Sequence, residues 1–346
     1  MARPKQKLTY LAGAPDGTIH QKSAEREIRA VEVVIRVTHS GLCGTDVHDR
    51  TAGCGLGHEG VGIVDKVGSE VTAVAVGQRV GWGIQHASCG RCRECLTGYR
   101  QCCPESRGQK YGEREQGAFG DYVVKHQDFV FPIPDAIESK HAGPLNCAGI
   151  TVYEALRVAD TQPSDRVGVV GLGGLGHLAV MYARAMGCDV VVFSGTEAKR
   201  PDAMALGATE FCLLPPADKG AGAGAARDLP GGVNVNVNVM LLCGGTLPDF
   251  DIIMPLLARR ATIVPLVIQT KPLVIPYMLL LLGGHRIIGS TEATRENHVQ
   301  ALRFAARHSI KPWIVEFPMN VEGLTTALAA LESGKVRYRA VLSRET

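Results

Sequence analysis

The segment that most restricts the fold is Gly171-Leu172-Gly173-Gly174-Leu175-Gly176. It stands directly behind the apolar run Val167-Gly168-Val169-Val170 and ahead of a helical pattern that opens at Leu178. Glycines in this spacing permit a tight turn, let the backbone approach a pyrophosphate and allow strand and helix to pack closely. The helix N-terminus then offers N–H groups and the positive end of its dipole to phosphates. A glycine turn alone says little. Between a strand and a helix it predicts dinucleotide binding, with Gly171, Gly173, Gly174, Leu175 and Gly176 as cofactor-binding residues. The surroundings agree: from residue 149 onward, strand patterns at 166–170 and 189–193 alternate with helical patterns at 175–186 and 198–206. That alternation predicts βαβ units and a doubly wound parallel sheet, extended by apolar runs at 261–268 and 286–288. The run 233–239 alternates Val with Asn and reads as another strand, its three Asn on one face unexplained by sequence. The Gly/Ala stretch 219–226 reads as a mobile surface loop.

The chain before residue 130 has a different character. Short β-branched runs at 32–37, 60–67 and 122–124, separated by Gly, Asp and Ser, predict a β-rich domain. Helical patterns at 297–308 and 321–333 and a strand at 340–342 close the chain. A length of 346 residues is enough for two domains. With 45% hydrophobic and 21% charged residues, disorder is excluded. A formal charge of +3 is too small for a protein that neutralises many phosphates, so no nucleic-acid partner is expected. The apolar run 277–282 is bounded by Pro276 and Gly283, far short of the roughly 18 residues that span a bilayer. The first thirteen residues lack the apolar stretch of a secretory signal. Membrane attachment is therefore not expected, and a cytoplasmic location is.

Eleven cysteines point the same way, because seven of them fall between Cys43 and Cys103, a density that favours metal ligation in a reducing compartment over disulfides. Cys89-Gly90-Arg91-Cys92-Arg93-Glu94-Cys95, followed by Cys103, places four thiolates at a spacing that closes a tetrahedral zinc site with no open position, the mark of a structural ion. Cys102 is adjacent and offers a substitute ligand, but the spacing prefers Cys103. The strand end Phe193-Ser194-Gly195-Thr196-Glu197-Ala198-Lys199-Arg200 carries the cofactor preference. A free ribose 2′-hydroxyl is usually met by an acid about 20 residues beyond the glycines. Here Ser194 occupies that place, with Thr196, Lys199 and Arg200 close behind, a set that suits the 2′-phosphate of NADP. The alternative is that both cations are solvated and Glu197 takes the ribose.

Three further segments are weak singly: Gly41-Leu42-Cys43-Gly44-Thr45-Asp46-Val47-His48, Gly57-His58-Glu59-Gly60 and Asn146-Cys147-Ala148-Gly149. Taken in order with the four-Cys segment and the glycine turn, they resemble the zinc-containing medium-chain alcohol dehydrogenases. Cys147 followed by Ala148-Gly149-Ile150-Thr151-Val152-Tyr153 is most similar to the cinnamyl-alcohol-dehydrogenase branch. The resemblance implies a GroES-like β domain (residues 1–148 and 292–346) holding the catalytic site, and a Rossmann NADP-binding domain (149–291). It implies two zinc ions per chain. The catalytic ion is held by Cys43, His58 and Cys147, with Glu59 able to reach it when substrate is absent or, alternatively, forming a salt bridge behind it. The structural ion is held by Cys89, Cys92, Cys95 and Cys103.

Two thiolates and an imidazole leave one coordination position open, as a catalytic zinc requires. Asp46 is expected to orient the imidazole, Thr45 to touch the reacting oxygen, and His48, reached through the nicotinamide ribose, to pass a proton to water, the alternative for His48 being a satisfied loop histidine. The implied reaction is hydride transfer between NADP(H) and a primary alcohol or aldehyde, with zinc as Lewis acid. The alternative is NADPH-dependent reduction of an iminium or activated C=C bond. It is kept open by a departure from the family pattern: only residues 49–57 separate His48 from His58, a loop shorter than relatives carry. Gly44 is a second departure, standing where many relatives have a basic residue. A non-catalytic nucleotide-binding protein on the same fold is disfavoured by the full ligand set and Thr45. By offset, Trp82 and Gln85 are candidates for the substrate wall, Trp82 equally for the core, while His177 reads as a helix-start residue. Residues 278–282 and 286–288 lie where relatives pair into homodimers.

Overall fold

The structure, a computed structural model, describes residues 4–109, 113–215 and 235–344. It divides into two compact units, Met1–Ile150 with Ala293–Thr346, and Thr151–Glu292.

In the first unit, the β-branched strand Glu32–Leu42 is the organiser. Val33, Ile35 and Val37 point into one buried cluster with Val64, Val80, Trp82 and Val123, while Val34 packs on the other face with Leu8, Tyr10 and Val124. This is the period-2 alternation of a strand buried on both sides. Around it a seven-stranded sheet runs in the order Ile314–Pro318, Arg339–Ser343, Glu32–Leu42, Glu59–Val67, Arg79–Trp82, Phe131–Pro132, with Tyr122–His126 also pairing to Glu32–Leu42. A hairpin of Lys5–Gly13 and Ile19–Glu27 forms a separate two-stranded sheet. The C-terminal strand Arg339–Ser343 thus inserts beside the N-terminal ones, antiparallel to Glu32–Leu42 and parallel to Ile314–Pro318. Helix Arg295–Arg307 starts at Thr294, whose Oγ1 accepts from the Asn297 N–H at 3.1 Å. Helix Val321–Glu332 starts at Asn320, whose Oδ1 accepts from Gly323 N–H at 2.7 Å. Both are side-chain caps of the kind that satisfy otherwise orphaned donors.

The second unit is a six-stranded parallel sheet. Its order is Glu210–Leu213, Asp189–Ser194, Arg166–Val170, Val237–Leu242, Leu257–Pro265, Arg286–Ile287. Numbered along the chain this is 3-2-1-4-5-6, the order of dinucleotide-binding folds, with the reversal beside the first strand. Helix Gly176–Ala185 follows that strand inside the expected 175–186 range and opens two residues before Leu178, because Gly176 lies within its first turn. The 189–193 expectation is met by Asp189–Ser194, while 198–206 becomes a short 3-10 turn, Glu197–Lys199, and helix Arg200–Ala205. The alternating Val/Asn run forms a strand only from Val237. Asn236 sits at φ +33°, Asn238 Oδ1 accepts from the Arg166 N–H at 2.9 Å, and residues 233 and 234 lie outside the described residues, as does the 219–226 stretch. Helix Tyr277–Gly283 lies at the surface with Tyr277, Met278, Leu281 and Leu282 exposed. Among the described residues, no helix is long and apolar enough to cross a membrane.

Candidate active site

The sheet of the first unit brings together four side chains that are far apart in sequence. Cys43 leaves the end of strand Glu32–Leu42 as the N-cap of helix Gly44–Asp49. Glu59 opens the neighbouring strand with His58 directly before it, and Cys147 lies on the π-helical turn Leu145–Gly149. One ligand atom from each of Cys43, His58, Glu59 and Cys147 lies within 4.8 Å of every other. His58 Nε2 and Glu59 Oε2 are buried and have no hydrogen-bond partner. Unsatisfied polar atoms of this kind call for an explanation in a native core. Two thiols, an imidazole and a carboxylate around one point fit a zinc ion. The site residues therefore suit the metal that the family implies.

Electrostatics favour the same arrangement. Cys43 is held well below the usual thiol range by the hydrogen bond from Cys147, with His58 adding to the effect against the cost of burial. The Cys147 thiol is pushed well above that range by the same bond and by burial. Burial pulls the His58 imidazole down, but the Asp46 charge and Cys43 together raise it well above its ordinary value. A divalent cation displaces such protons when it binds.

Asp46 is fully buried and anchors the site's first loop. Its Oδ2 accepts from Cys43 N–H at 3.0 Å, and its Oδ1 accepts from Gly57 N–H at 2.8 Å and Gln109 Nε2 at 3.2 Å. His58 Nδ1 lies 3.4 Å from the same Oδ1, near enough for charge but not aligned as a hydrogen bond. The short 49–57 segment folds back on the N-terminal hairpin, with Leu56 N–H donating to Leu11 O at 2.9 Å and Arg50 Nε to Gly17 O at 2.6 Å. Gly57, at φ +92°, leaves no room for a Cβ, which would meet Phe119 N at 2.6 Å.

Behind the ligands lies a group that sequence reasoning did not single out. Arg339 donates through Nη2 to Glu59 Oε1, both side chains buried. Burial raises the Glu59 carboxyl to about 7 although the Arg339 charge pulls it down. Gly41 makes the seat possible: it pairs with Glu59 across the sheet, and a Cβ there would fall 1.9 Å from Glu59 Oε2. Of the two expectations for Glu59, the salt bridge is present through Oε1, while Oε2 is left without a hydrogen-bond partner.

Thr45 is buried, with Oγ1 3.8 Å from Cys43 Sγ, and His48 is exposed three residues further along the same helix. The substrate-wall candidates are both buried. Trp82 is 1% exposed inside the core cluster, and Gln85 is buried, donating to Ser106 Oγ at 2.8 Å and Arg100 O at 3.3 Å. His177 lies buried in helix Gly176–Ala185.

A second cluster, Cys89, Cys92, Cys95 and Cys103, also has all four sulfurs within 4.8 Å. Cys102 is exposed, while Cys103 is buried. The Cys92 N–H donates to Cys89 Sγ at 3.3 Å and the Cys89 N–H to Cys103 Sγ at 3.5 Å. Backbone donors from Arg91 and Cys92 lower the Cys89 thiol to about 7. Positive φ at Gly90 and Gly98 lets the loop turn around the cluster.

In the second unit the glycines divide their duties. Gly171, at φ +91°, would set a Cβ 2.6 Å from Gly244 Cα, and Gly176 would set one 1.9 Å from Gly171 O. Gly173 faces open space, where a phosphate can approach. Gly174 and Leu175 complete the turn ahead of the helix. Ser194 ends the next strand, its Oγ accepting from Thr196 N–H at 3.3 Å. Arg200 is engaged: it pairs with Glu197, donates to Phe211 O at 3.3 Å and lies 4.6 Å over the Phe211 ring.

A parallel sheet with a glycine turn after its first strand in one unit, and two thiol-bearing clusters in the other, define a zinc-binding dehydrogenase. Residues 29–135 match the alcohol dehydrogenase GroES-like domain and residues 174–307 the zinc-binding dehydrogenase family. An alcohol dehydrogenase of Geobacillus stearothermophilus is 33% identical over 330 residues, 93% of this chain and 94% of that protein. Cinnamyl alcohol dehydrogenase 8 of Arabidopsis thaliana is 32% identical over 332 residues, 92% and 89% of the two chains. The solved cinnamyl alcohol dehydrogenase of Sorghum bicolor superposes with a TM-score of 0.87 at 31% identity, covering 98% of each chain. The chain belongs to the zinc-containing medium-chain alcohol dehydrogenases, on the branch that includes the cinnamyl alcohol dehydrogenases.

Proposed function

We propose that this oxidoreductase interconverts primary alcohols and aldehydes with NADP(H), using the cluster of Cys43, His58 and Cys147 as its catalytic metal site. The observation that carries the reading is the convergence of these three ligand atoms with a Glu59 carboxylate oxygen inside 4.8 Å. When bound, zinc supplies Lewis acidity to an alcohol or carbonyl oxygen, and the nicotinamide exchanges the hydride. The chain's own residues supply position and a proton path. Asp46 fixes Cys43 through its backbone and faces His58, and Arg339 holds Glu59 back through Oε1. Thr45, buried beside Cys43, accepts a proton through Oγ1 and passes on its own. His48, one helical turn away and exposed, hands the proton to water. Cys89, Cys92, Cys95 and Cys103 hold a structural zinc that pins their loop.

In the unit Thr151–Glu292, Gly171, Gly173, Gly174, Leu175 and Gly176 cradle the pyrophosphate, and Ser194, Thr196 and Lys199 take the 2′-phosphate. Glu197, the acid an NAD-type site would offer to the ribose, is engaged by Arg200, which supports NADP. Exposed apolar residues of helix Tyr277–Gly283 support a homodimer formed through that face.

Metal analysis of the purified protein, together with NADPH and NADH oxidation over a panel of aldehydes, enals and cyclic imines, tests the reading. Two zinc ions per chain and NADPH-dependent aldehyde reduction are expected. Turnover of imines or enals and of no aldehyde would overturn the substrate class.

A further inference from the structure

The π-helical turn that carries Cys147 has a buried polar side chain immediately before the ligand. Asn146 is 0% exposed. Its Nδ2 donates to two backbone carbonyls, Ala142 O at 3.0 Å and Gly60 O at 3.4 Å. The first lies in the helix leading to Cys147. The second lies one residue beyond Glu59 and two beyond His58. One amide group therefore ties the segment bearing one thiolate to the strand bearing the imidazole. The sheet leaves room for it by omission: a Cβ on Gly81 would fall 2.3 Å from Asn146 Nδ2, and one on Gly83 would meet Asn146 O at 3.0 Å.

Because both carbonyls demand a donor, the amide can face them only with its nitrogen, and Oδ1 is turned toward His298 Nε2 at 3.0 Å. That fixes the tautomer of His298: Nε2 carries the hydrogen and donates to Asn146. His298 belongs to helix Arg295–Arg307, is 3% exposed and stacks on Phe131 with ring centroids 3.6 Å apart and planes 13° from parallel. Burial, with the Arg100 charge second, pushes its imidazole well below the ordinary range and keeps it neutral. A neutral, stacked imidazole has one orientation and one donor to give.

We infer that Asn146 and His298 are positioning residues for the catalytic metal site, setting Cys147 against the His58–Glu59 strand through a hydrogen-bonded relay from the C-terminal helix. The inference rests on the zinc reading above. Groups that orient metal ligands typically change metal affinity by 10- to 100-fold when removed, and the four-Cys cluster supplies an internal control.

The test measures zinc release to a chelator from the wild-type holoenzyme and from His298→Leu, His298→Gln and Asn146→Ala, together with the thiolate charge-transfer absorption after cobalt substitution. In wild type, two slowly released zinc ions are expected. In His298→Leu and Asn146→Ala, one of the two is expected to leave about tenfold faster with a shifted cobalt spectrum, while the other keeps its wild-type rate. His298→Gln, which restores an N–H donor, is expected to recover most of the loss. If His298→Leu does not fold, Asn146→Ala and His298→Gln carry the comparison. Wild type holding two zinc ions, with release and cobalt spectra unchanged in the folded variants, would overturn the positioning role alone. So would equal defects in His298→Gln and in the variants that lack the donor or the amide. A wild-type chain holding only the four-Cys zinc would overturn the zinc reading itself.

Discussion

Replacing Gly41 with alanine probes how tightly the carboxylate beside the ligands is seated. The added Cβ would stand 1.9 Å from Glu59 Oε2, 3.0 Å from its Cδ and 3.1 Å from its Cβ. A carboxylate at the end of a side chain ordinarily swings aside at little cost. Here Glu59 is 0% exposed, and swinging away separates it from Arg339, itself 5% exposed. Breaking a buried ion pair costs about 3–5 kcal/mol, more than the roughly 1–3 kcal/mol of overpacking alone. The backbone of Gly41 is not in the left-handed region, so alanine returns about 0.5–1 kcal/mol of strand propensity. The net expectation is a loss of about 2–4 kcal/mol, or a melting temperature lower by roughly 5–15 °C for a unit of this size. Gly44→Ala is the matched control: three residues on, its Cβ meets nothing within 4 Å, and no loss is expected. Calorimetry of the two variants beside wild type makes the measurement. A Gly41→Ala protein melting within about 2 °C of wild type would refute the claim that the carboxylate is locked in place.

Thr45→Val, which removes the hydroxyl beside Cys43 and nearly keeps its shape, is expected to lower kcat about 100-fold with both zinc ions retained; steady-state kinetics paired with metal analysis checks both halves. Lys199→Glu is expected to raise KM for NADPH at least tenfold while leaving or improving KM for NADH; an unchanged ratio would remove the 2′-phosphate role. Gly173→Ala and Gly176→Ala separate binding from packing. The first adds a methyl group to open space and is expected to raise cofactor KM roughly tenfold without changing the melting temperature. The second presses on Gly171 O at 1.9 Å and is expected to lower stability by about 1–3 kcal/mol, read by thermal unfolding.

Legibility in the sequence followed the range of the interactions. The duty of Gly176, packed on Gly171 O, is settled within one turn, so the spacing alone announces it, and the four-Cys loop closes within fifteen residues. Cys43, His58 and Cys147 are each ordinary in isolation; only their order relative to the other motifs, through a family resemblance, joined them. A salt bridge behind the metal was legible as an option for Glu59, but its partner was not, because Arg339 is 280 residues away and nothing local marks it. Asn146 leaves only a faint signal, an amide inside the apolar run Pro144-Leu145-Asn146-Cys147. Trp82 and Gln85 are placed by offset, which counts residues but not the face of the strand; of the two readings for Trp82, the core cluster is the one its burial supports. The Asn238 side chain, unexplained as a member of an alternating run, ends as an acceptor for the first residue of the neighbouring strand.

The late arrival of Arg339 has a consequence for biogenesis. A ribosome adding about 5–20 residues per second reaches it roughly 15–60 s after Glu59, given the 280 positions between them. Throughout that interval the sheet lacks its Arg339–Ser343 strand, and the buried carboxylate lacks its counter-charge. The unit Thr151–Glu292, by contrast, is translated without interruption and has every strand of its sheet in hand first. Nascent chains stalled before residue 339 are thus expected to display a folded nucleotide-binding half attached to an immature, protease-sensitive metal half.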